Sequence, residues 1–265
     1  MDSGKVMMME KLEQFKTVAE SNIKIDKSIS ITSLNEMQHL MSSRGFLSNS
    51  SLSLSMFERL FFREILELSI VLSVRLCDYD AISSYFSQIR YFYFDHKDLP
   101  ISERMSTILS IKLLMDLANG RMEDFLMDSS QAITYTSSRD IYINYVFDVQ
   151  LALASNSFRK MVELQQKSPS VLFNCFMTDL VQRIRKSLAN DIIKCSKSLQ
   201  IRDLMSILHL DTEEQTVQYS KDMNWQIDQD NFVHIREQSS VSHTEGYDSK
   251  LECIISSALR FNSIM

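Results

Sequence analysis

The residues of this chain that could hold a metal ion or act as nucleophiles are its cysteines and histidines. The four cysteines, Cys77, Cys175, Cys195 and Cys253, lie 98, 20 and 58 residues apart and form no Cys-x-x-Cys pair. The five histidines have no metal-ligand spacing. Cys175 and Cys195 fall on apolar helical faces, where cysteine packs as a small hydrophobic side chain. The pattern therefore predicts neither a metal site nor a disulfide framework, and it favours a reducing, intracellular compartment.

Short sequence motifs typical of nucleotide-binding loops, serine hydrolases and zinc proteases are missing from the sequence as well. No Gly-x-x-x-x-Gly-Lys, Gly-x-Ser-x-Gly or His-Glu-x-x-His pattern occurs. The chain has 4 glycines in all, too few for a loop that cradles phosphate. We therefore predict no catalytic residue, no cofactor and no metal ion. An enzyme with scattered catalytic residues is the weakest alternative that stays open.

The same scarcity of turn-forming residues indicates the fold class. Glycine and proline contribute 4 and 2 of the 265 residues, whereas average composition would give roughly 30. Sheet proteins need these residues for hairpins and bulges. Hydrophobic residues make up 45% of the chain, enough to form a core. The composition predicts a mainly α-helical protein.

A long amphipathic pattern begins at Phe57. Apolar residues continue at steps of three and four as far as Leu76, and Phe62, Leu66 and Ile70 form a second apolar face. A helix that is apolar on two sides is typical of stacked helical repeats, in which each helix lies between neighbours.

Polar turns interrupt the apolar helices at a roughly constant interval. Asp78-Tyr79, Asn119-Gly120 and Asn156-Ser157 are 41 and 37 residues apart, close to the period of tetratricopeptide and HEAT repeats. We predict a helical-repeat solenoid of this kind over residues 57–171. Residues 1–56 are expected to form N-terminal helices and a serine-rich linker.

The last hundred residues have a different pattern. Two helical stripes are followed by Thr212 and Gln215, a capping-box pair that opens a third helix. After Trp225 the apolar period changes from 3.6 towards 2 on both sides of the polar run 228–231, which predicts a hairpin. Three helices followed by two strands predict a winged helix over residues 172–236, with Trp225 largely buried.

Residues 237–265 are predicted to be a polar linker followed by a C-terminal helix. The apolar residues of this helix are Leu251, Ile254, Ile255, Ala258, Leu259, Phe261, Ile264 and Met265. A helix of about 15 residues is marginal alone in water, so these side chains must be buried. The helix could fold back on its own winged helix. We favour the other alternative, in which it binds partner helices.

The charge balance weighs against nucleic acid and membrane as partners. The formal net charge is −6, and the third helix of the predicted winged helix, in segment 211–222, carries a net −3, so phosphate would repel it. A basic stretch over 183–197 is either a solvated face or a contact for an acidic protein. The aromatic run Tyr91–Phe94 is expected to pack in the core rather than stack on bases. No apolar run reaches the roughly 18 residues that a membrane span requires.

Several segments together, in matching order and at matching distances, resemble one known family. They are Arg63–Glu67, Tyr85–Gln88, Tyr93–Asp95, Leu99-Pro100, Leu113-Leu114, Asn119–Phe125, Ile184-Arg185 with Ala189, Met223–Trp225 and Ile264-Met265. The family that they resemble is that of the 26S proteasome non-ATPase regulatory subunit 8.

The resemblance implies a PCI protein, in which helical repeats are followed by a winged helix, and a non-catalytic scaffold subunit of the proteasome lid. Its partners would be other lid subunits in a hetero-oligomeric complex, with contacts between PCI domains and in a bundle of C-terminal helices. The expected location is cytoplasm and nucleus. Two alternatives stay open: a small PCI subunit of the signalosome or of translation initiation factor 3, and a winged-helix protein that binds nucleic acid.

Overall fold

The computed structural model describes residues 3–20, 27–43, 55–96, 98–136, 139–196, 198–228 and 231–234. The chain divides into two compact units, Met1–Lys186 and Ser187–Met265. Over the described ranges the protein is mainly helical, as the composition predicts, with eleven α-helices and one small sheet. Residues 44–54 of the serine-rich segment predicted between Ser42 and Ser55, and all of 235–265, including the predicted C-terminal helix, lie outside the described ranges.

The α-helices of the first unit account for most of its described residues. They are α1 (Ser3–Glu20), α2 (Lys27–Ser43), α3 (Met56–Leu76), α4 (Tyr79–Arg90), α5 (Met105–Ala118), α6 (Met122–Tyr135), α7 (Ile141–Ala154), α8 (Phe158–Gln166) and α9 (Asn174–Cys195), the last of which ends in the second unit. A π-helical turn, Tyr91–Asp95, follows α4, and a 3-10 turn, Val171–Phe173, precedes α9. The predicted N-terminal helices are confirmed, and Leu12, Phe15 and Ala19 of α1 are buried.

Helix α3 is the centre of the first unit. Its start is fixed by a reciprocal capping box, since the Ser55 hydroxyl accepts a hydrogen bond from the Glu58 amide and the Glu58 carboxylate accepts one from the Ser55 amide. From Phe61 to Val74 twelve of its residues are buried, including Phe62, Leu66 and Ile70 of the second apolar face. The prediction of a helix covered on both sides is therefore confirmed.

The helices that follow come in pairs joined by tight turns. Helices α3 and α4, α5 and α6, and α7 and α8 pack against each other. The turns between them lie at Cys77-Asp78, Asn119-Gly120 and Ser155-Asn156, at the three places where the sequence predicts polar interruptions. Each pair is thus a helical hairpin.

The first helix of each hairpin, and both short helices of the second unit, end in the same way, and four of these five ends use a residue other than glycine. The first or second residue after the helix has left-handed backbone, with φ between 47° and 69°, at Cys77, Gly120, Asn156, His209 and Asn224. In each case its amide bonds to the carbonyl three residues back. The next amide bonds to the carbonyl five residues back, as Asp78 does to Ser73 at 3.0 Å. This is the Schellman arrangement, which usually uses glycine.

The second unit combines the end of α9 with two short helices and a sheet. These elements are β1 (Ser198–Gln200), α10 (Ile201–Leu208), α11 (Glu213–Asp222), β2 (Gln226–Ile227) and β3 (Phe232–His234). The strand order is β1-β3-β2, with both pairings antiparallel. The hairpin predicted around 228–231 is confirmed by the pairing of Ile227 with Val233.

A single apolar cluster fills the second unit. Its buried members are Ala189, Ile192, Ile201, Leu204, Leu208, Trp225 and Val233. Trp225 is 4% exposed, so its predicted burial is confirmed. The Thr212 hydroxyl caps α11 by accepting from the Gln215 amide at 3.2 Å, and the Gln215 side chain accepts from the Asp211 amide.

Three details differ from the sequence prediction. Strand β1 was not expected, because a three-residue strand has too short a pattern to be recognised. Helix α9 begins at Asn174 rather than near residue 178, since the 3-10 turn before it leads directly into the helix. Cys195 is exposed at the last position of α9, so its predicted burial is wrong. The helix ends there, and none of the residues that the structure describes covers that side chain.

Candidate functional site

The residues that could do chemistry do not converge on a metal or catalytic centre in the described part of the chain. No group of three or more His, Cys, Asp or Glu side chains in those ranges has an arrangement that could hold a metal ion. Across the same residues, no helix has both the length and the apolar character required to cross a bilayer. Two clusters of titratable side chains in the first unit, each with buried members, join its helices.

The first, the α3 polar cluster, consists of Arg63, Glu67, Tyr93, Pro100 and Ser102. The Tyr93 hydroxyl donates to Glu67 Oε1 at 2.9 Å, and Arg63 donates from Nη1 to the Pro100 carbonyl at 2.5 Å. Arg63 Nε lies 3.7 Å from Glu67 Oε1. Four of these five residues belong to segments that carry the family resemblance. They attach the connection between α4 and α5 to α3.

Burial governs the titration of this cluster. Loss of solvent raises the pKa of Glu67, while hydrogen bonds from Ser102 and Tyr93 and the charges of Arg63 and Arg104 oppose that rise. The same loss of solvent and the adjacent Glu67 carboxylate raise the pKa of Tyr93. Glu67 is 3% exposed and points into a contact between helices. A carboxyl group held in this way joins the α4–α5 connection to α3 and is not exposed to a substrate.

The second cluster, the charged bridge, consists of Arg90, Lys112, Asp116, Arg121 and Asp128. Lys112 Nζ lies 2.5 Å from Asp116 and 3.0 Å from Asp128. Arg90 lies 3.3 Å from Asp128. Arg121 Nη2 lies 3.3 Å from Asp116 Oδ1, an ion-pair contact without hydrogen-bond geometry. The bridge therefore joins α4, α5 and α6.

An open cavity of about 330 Å³ lies beside the charged bridge. Arg90, Lys112 and Arg121 line it, and so do Asp124 and Asp128. Each of these cations contacts a carboxylate, and when Asp116 beside the lining is counted, three carboxylates balance the three cations. Loss of solvent raises the pKa of Asp116, against the opposing effect of Lys112. The lining also contains Ser83 and Ser87, but Ser87 donates to the Ser83 carbonyl, and none of the lining residues is a histidine that could activate a hydroxyl.

The aromatic run after α4 packs in the core, as the sequence predicts. Phe92 and Tyr93 are buried. Tyr91 and Phe94 are half-buried and contact His96 and Tyr135 through their rings. Rings held in this way present no stacking platform for bases.

Exposed charge in the second unit has the sign expected from the sequence. Asp211, Glu213, Glu214 and Asp222, on and next to α11, are exposed. Lys221 is the one basic residue in segment 211–222. A DNA phosphate that approached this helix would meet repulsion.

Helix α6 carries several large apolar side chains that are exposed. Leu126, Met127 and Ile133 are 59%, 62% and 59% exposed, and Met122 lies one turn before Leu126. Single exposed apolar residues are ordinary, but several on one helix are typical of protein contacts.

The site residues predicted from the sequence lie outside the described ranges. They are Leu251, Ile254, Ile255, Ala258, Leu259, Phe261, Ile264 and Met265. Their assignment to partner binding stays a prediction.

The sequence prediction missed both buried clusters and one cysteine contact. Glu67 lies within an apolar stripe, and Lys112 and Asp116 are four residues apart in an otherwise apolar helix. A charged residue inside an apolar helical stripe can be recognised in the sequence, so both clusters left a signal there. The approach of Cys175 to Cys77 joins residues 98 positions apart and left no local pattern.

The known proteins that this chain resembles include three 26S proteasome regulatory subunits. The chain is 23% identical to the 26S proteasome non-ATPase regulatory subunit 8 of Caenorhabditis elegans, over 76% of this chain and 77% of that protein. It is 23% identical to the 26S proteasome regulatory subunit rpn12 of Schizosaccharomyces pombe, over 70% and 68%. It is 24% identical to the 26S proteasome non-ATPase regulatory subunit 8 homolog A of Arabidopsis thaliana, over 62% of each chain.

The profile of the CSN8/PSMD8/EIF3K family matches residues 103–244. This stretch is more than half of the chain, and it extends from the connection before α5 to beyond β3. The resemblance drawn from the sequence segments is confirmed. The chain belongs to the CSN8/PSMD8/EIF3K family.

Proposed function

We propose that this chain is a non-catalytic structural subunit of the 26S proteasome regulatory particle lid, which acts in ubiquitin-dependent protein degradation through protein–protein contacts. The observation that carries the proposal is that relatives from a nematode, a yeast and a plant are all named as 26S proteasome regulatory subunits and match 62–76% of the chain. The cytoplasm and nucleus are the proposed location.

The chemistry of the described residues supports a role without catalysis. The carboxyl groups whose pKa values are raised, Glu67 and Asp116, are engaged with neighbouring helices. Exposed apolar side chains on α6 are suited to contact with other proteins.

We further propose that the second unit is the winged helix of a PCI domain. Its elements follow the order helix, strand, helix, helix, strand, strand, and β3 lies between β1 and β2. The helical hairpins of the first unit would be degenerate repeats of the tetratricopeptide or HEAT kind. The exposed acidic residues beside α11 favour a protein partner over nucleic acid.

The C-terminal helix is the proposed docking element for other lid subunits. Its apolar stripe from Leu251 to Met265 would enter a bundle of partner helices, where helix-in-groove packing supplies the affinity. Under this hypothesis the C-terminal helix is needed for assembly into the complex but not for folding of the chain, and a truncation can test this.

Deletion of residues 250–265 is expected to leave the melting temperature nearly unchanged and to abolish incorporation into the complex. The measurement is thermal unfolding of the purified chain, together with affinity purification of the tagged chain from cells. A point variant, Ile255→Asp with Phe261→Asp, should reproduce the loss. The matched control, Ser256→Asp with Ser263→Asp on the polar face, should assemble normally. A truncated chain that unfolds, or one that still assembles, would contradict the docking hypothesis.

The same purification tests the proposed function itself. We expect proteasome lid subunits among the proteins that co-purify with the full-length chain. Recovery of signalosome or initiation factor 3 subunits in their place would assign the chain to another branch of the family. Recovery of RNA or DNA without these complexes would overturn the proposal.

A further inference from the structure

Two cysteines of the first unit are in direct contact. Cys77 is the left-handed residue that ends α3, and Cys175 is the second residue of α9. Their Sγ atoms are 2.7 Å apart, and both are free thiols. A disulfide bond is about 2.05 Å long, so the two sulfur atoms are within reach of a bond after a movement of less than 1 Å.

The surroundings hold the two thiols together. The Tyr79 hydroxyl, two residues after Cys77, donates to the Asp179 carboxylate one turn after Cys175, and it lies 3.6 Å from Cys175 Sγ. The Tyr79 ring also packs edge-on against Phe176 at 5.6 Å. The turn between α3 and α4 and the start of α9 are therefore fixed against each other by contacts that do not depend on the sulfur atoms.

We propose that Cys77 and Cys175 form a reversible disulfide, a redox modification site that links the α3–α4 turn to the start of α9. The site is independent of the proposed function, because it depends only on contacts within the first unit. The oxidant is a hydroperoxide, and a small-molecule thiol restores the reduced pair.

The two sulfur atoms have different roles in this reaction. Cys77 is exposed, so a peroxide can reach it, whereas Cys175 is half-buried. Burial and the hydrogen bond with Cys77 raise the pKa of Cys175 to about 11, so its thiol is mostly protonated. The thiolate is the attacking species in thiol chemistry. Cys77 is therefore the thiol that meets the oxidant, and Cys175 is the resolving thiol.

The reaction balances in two steps. The Cys77 thiolate attacks hydrogen peroxide, the O–O bond breaks, and a sulfenic acid and hydroxide form. The Cys175 sulfur then attacks Cys77 Sγ, the S–O bond breaks, and the leaving hydroxyl takes the Cys175 proton to form water. Two thiols are oxidised to one disulfide and one peroxide is reduced to two waters. A thiol reductant returns two electrons and two protons and reopens the bond.

The test is peptide mapping of the full-length chain after exposure to hydrogen peroxide, with remaining thiols blocked by N-ethylmaleimide in acid. Trypsin cuts the sequence so that Cys77 lies in peptide 76–90 and Cys175 in peptide 168–183. The expected product is these two peptides joined, lighter by two hydrogens than their sum. It should disappear after treatment with dithiothreitol.

Three variants control the assignment. Cys77→Ser and Cys175→Ala should each abolish the joined peptide, whereas Cys195→Ser, which removes an exposed cysteine outside the first unit, should leave its yield unchanged. Since the closed loop is long, oxidation of the wild type should also raise the melting temperature, by up to about 10 °C. The wild-type map is informative even if a variant does not fold.

Two results would overturn the proposal. One is Cys77 oxidised to a sulfinic or sulfonic acid while Cys175 remains open to alkylation. The other is a joined peptide that contains Cys195 or Cys253 in place of either cysteine.

Discussion

Replacement of Lys112 by methionine is expected to lower the free energy of unfolding by about 3–5 kcal/mol at neutral pH, because it removes one partner of a buried ion network. The Lys112 ammonium group lies 2.5 Å from Asp116 and 3.0 Å from Asp128. These three residues are 9%, 0% and 7% exposed. Methionine has nearly the same length and keeps the apolar stem beside Phe86, so the loss is mainly electrostatic.

The pH dependence of this loss follows from Asp116. Burial raises the pKa of Asp116 above its unfolded value of 3.8, and Lys112 opposes that rise. A carboxyl group with a raised pKa binds its proton more strongly in the folded state. Its contribution to stability is therefore present at low pH and is lost as the pH rises through the folded pKa. Without Lys112 the pKa rises further. The cost of Lys112→Met should accordingly be largest at neutral pH and should shrink in mild acid.

Urea unfolding followed by far-ultraviolet circular dichroism measures both effects. Lys160→Met, at an exposed position on α8, is the matched control and should change stability by less than about 0.5 kcal/mol. The double variant Lys112→Met with Asp116→Leu should recover part of the loss, because it leaves no unpaired charge at Asp116. A cost below about 1 kcal/mol for Lys112→Met, or a cost that grows in acid, would refute the electrostatic argument.

Three further predictions concern the second unit, a turn and nucleic acid. Trp225→Ala should cost about 3–5 kcal/mol in urea unfolding. Trp225→Phe should cost less than half as much, because it keeps most of the packing and removes an Nε1 group that has no hydrogen-bond partner among the described residues. At Asn156, where φ is 50°, replacement by glycine should raise the urea midpoint slightly and replacement by valine should lower it, because left-handed backbone costs a residue with a side chain about 1–2 kcal/mol. The opposite order would contradict the left-handed backbone at this turn. Fluorescence anisotropy should detect no binding of a random DNA duplex at physiological salt, and salt-sensitive micromolar binding would disprove the charge argument.

The sequence was most informative where short-range patterns decide the structure. The turns at Asn119 and Asn156, the cap at Thr212 and the burial of Trp225 each follow from residues within one or two helical turns. The family profile also matches the resemblance, which rests on the order of many short segments. These features could be predicted because each depends on a period or on a local hydrogen bond.

Features that depend on distant partners could not be predicted. Strand β1 exists because Leu199 pairs with Val233, and two helices separate these residues along the sequence. The contact between Cys77 and Cys175 depends on how α9 packs against the α3–α4 turn. Helix ends with Cys77 or His209 in left-handed backbone are similarly hidden, since neither residue type is a usual signal for that position.

The two buried polar clusters explain how an irregular series of helical hairpins can have a defined packing. Apolar contacts are non-directional, whereas ion pairs and hydrogen bonds require particular partners. The charged bridge joins Asp128 of α6 to Arg90 of α4, across the boundary between the first and second hairpins. The α3 polar cluster attaches the connection between those hairpins through the contact of Arg63 with Pro100. A shift of one helix by a single turn would leave buried charges unpaired, at a cost of several kcal/mol. We infer that these clusters select one arrangement of the hairpins, and that apolar burial supplies most of its stability.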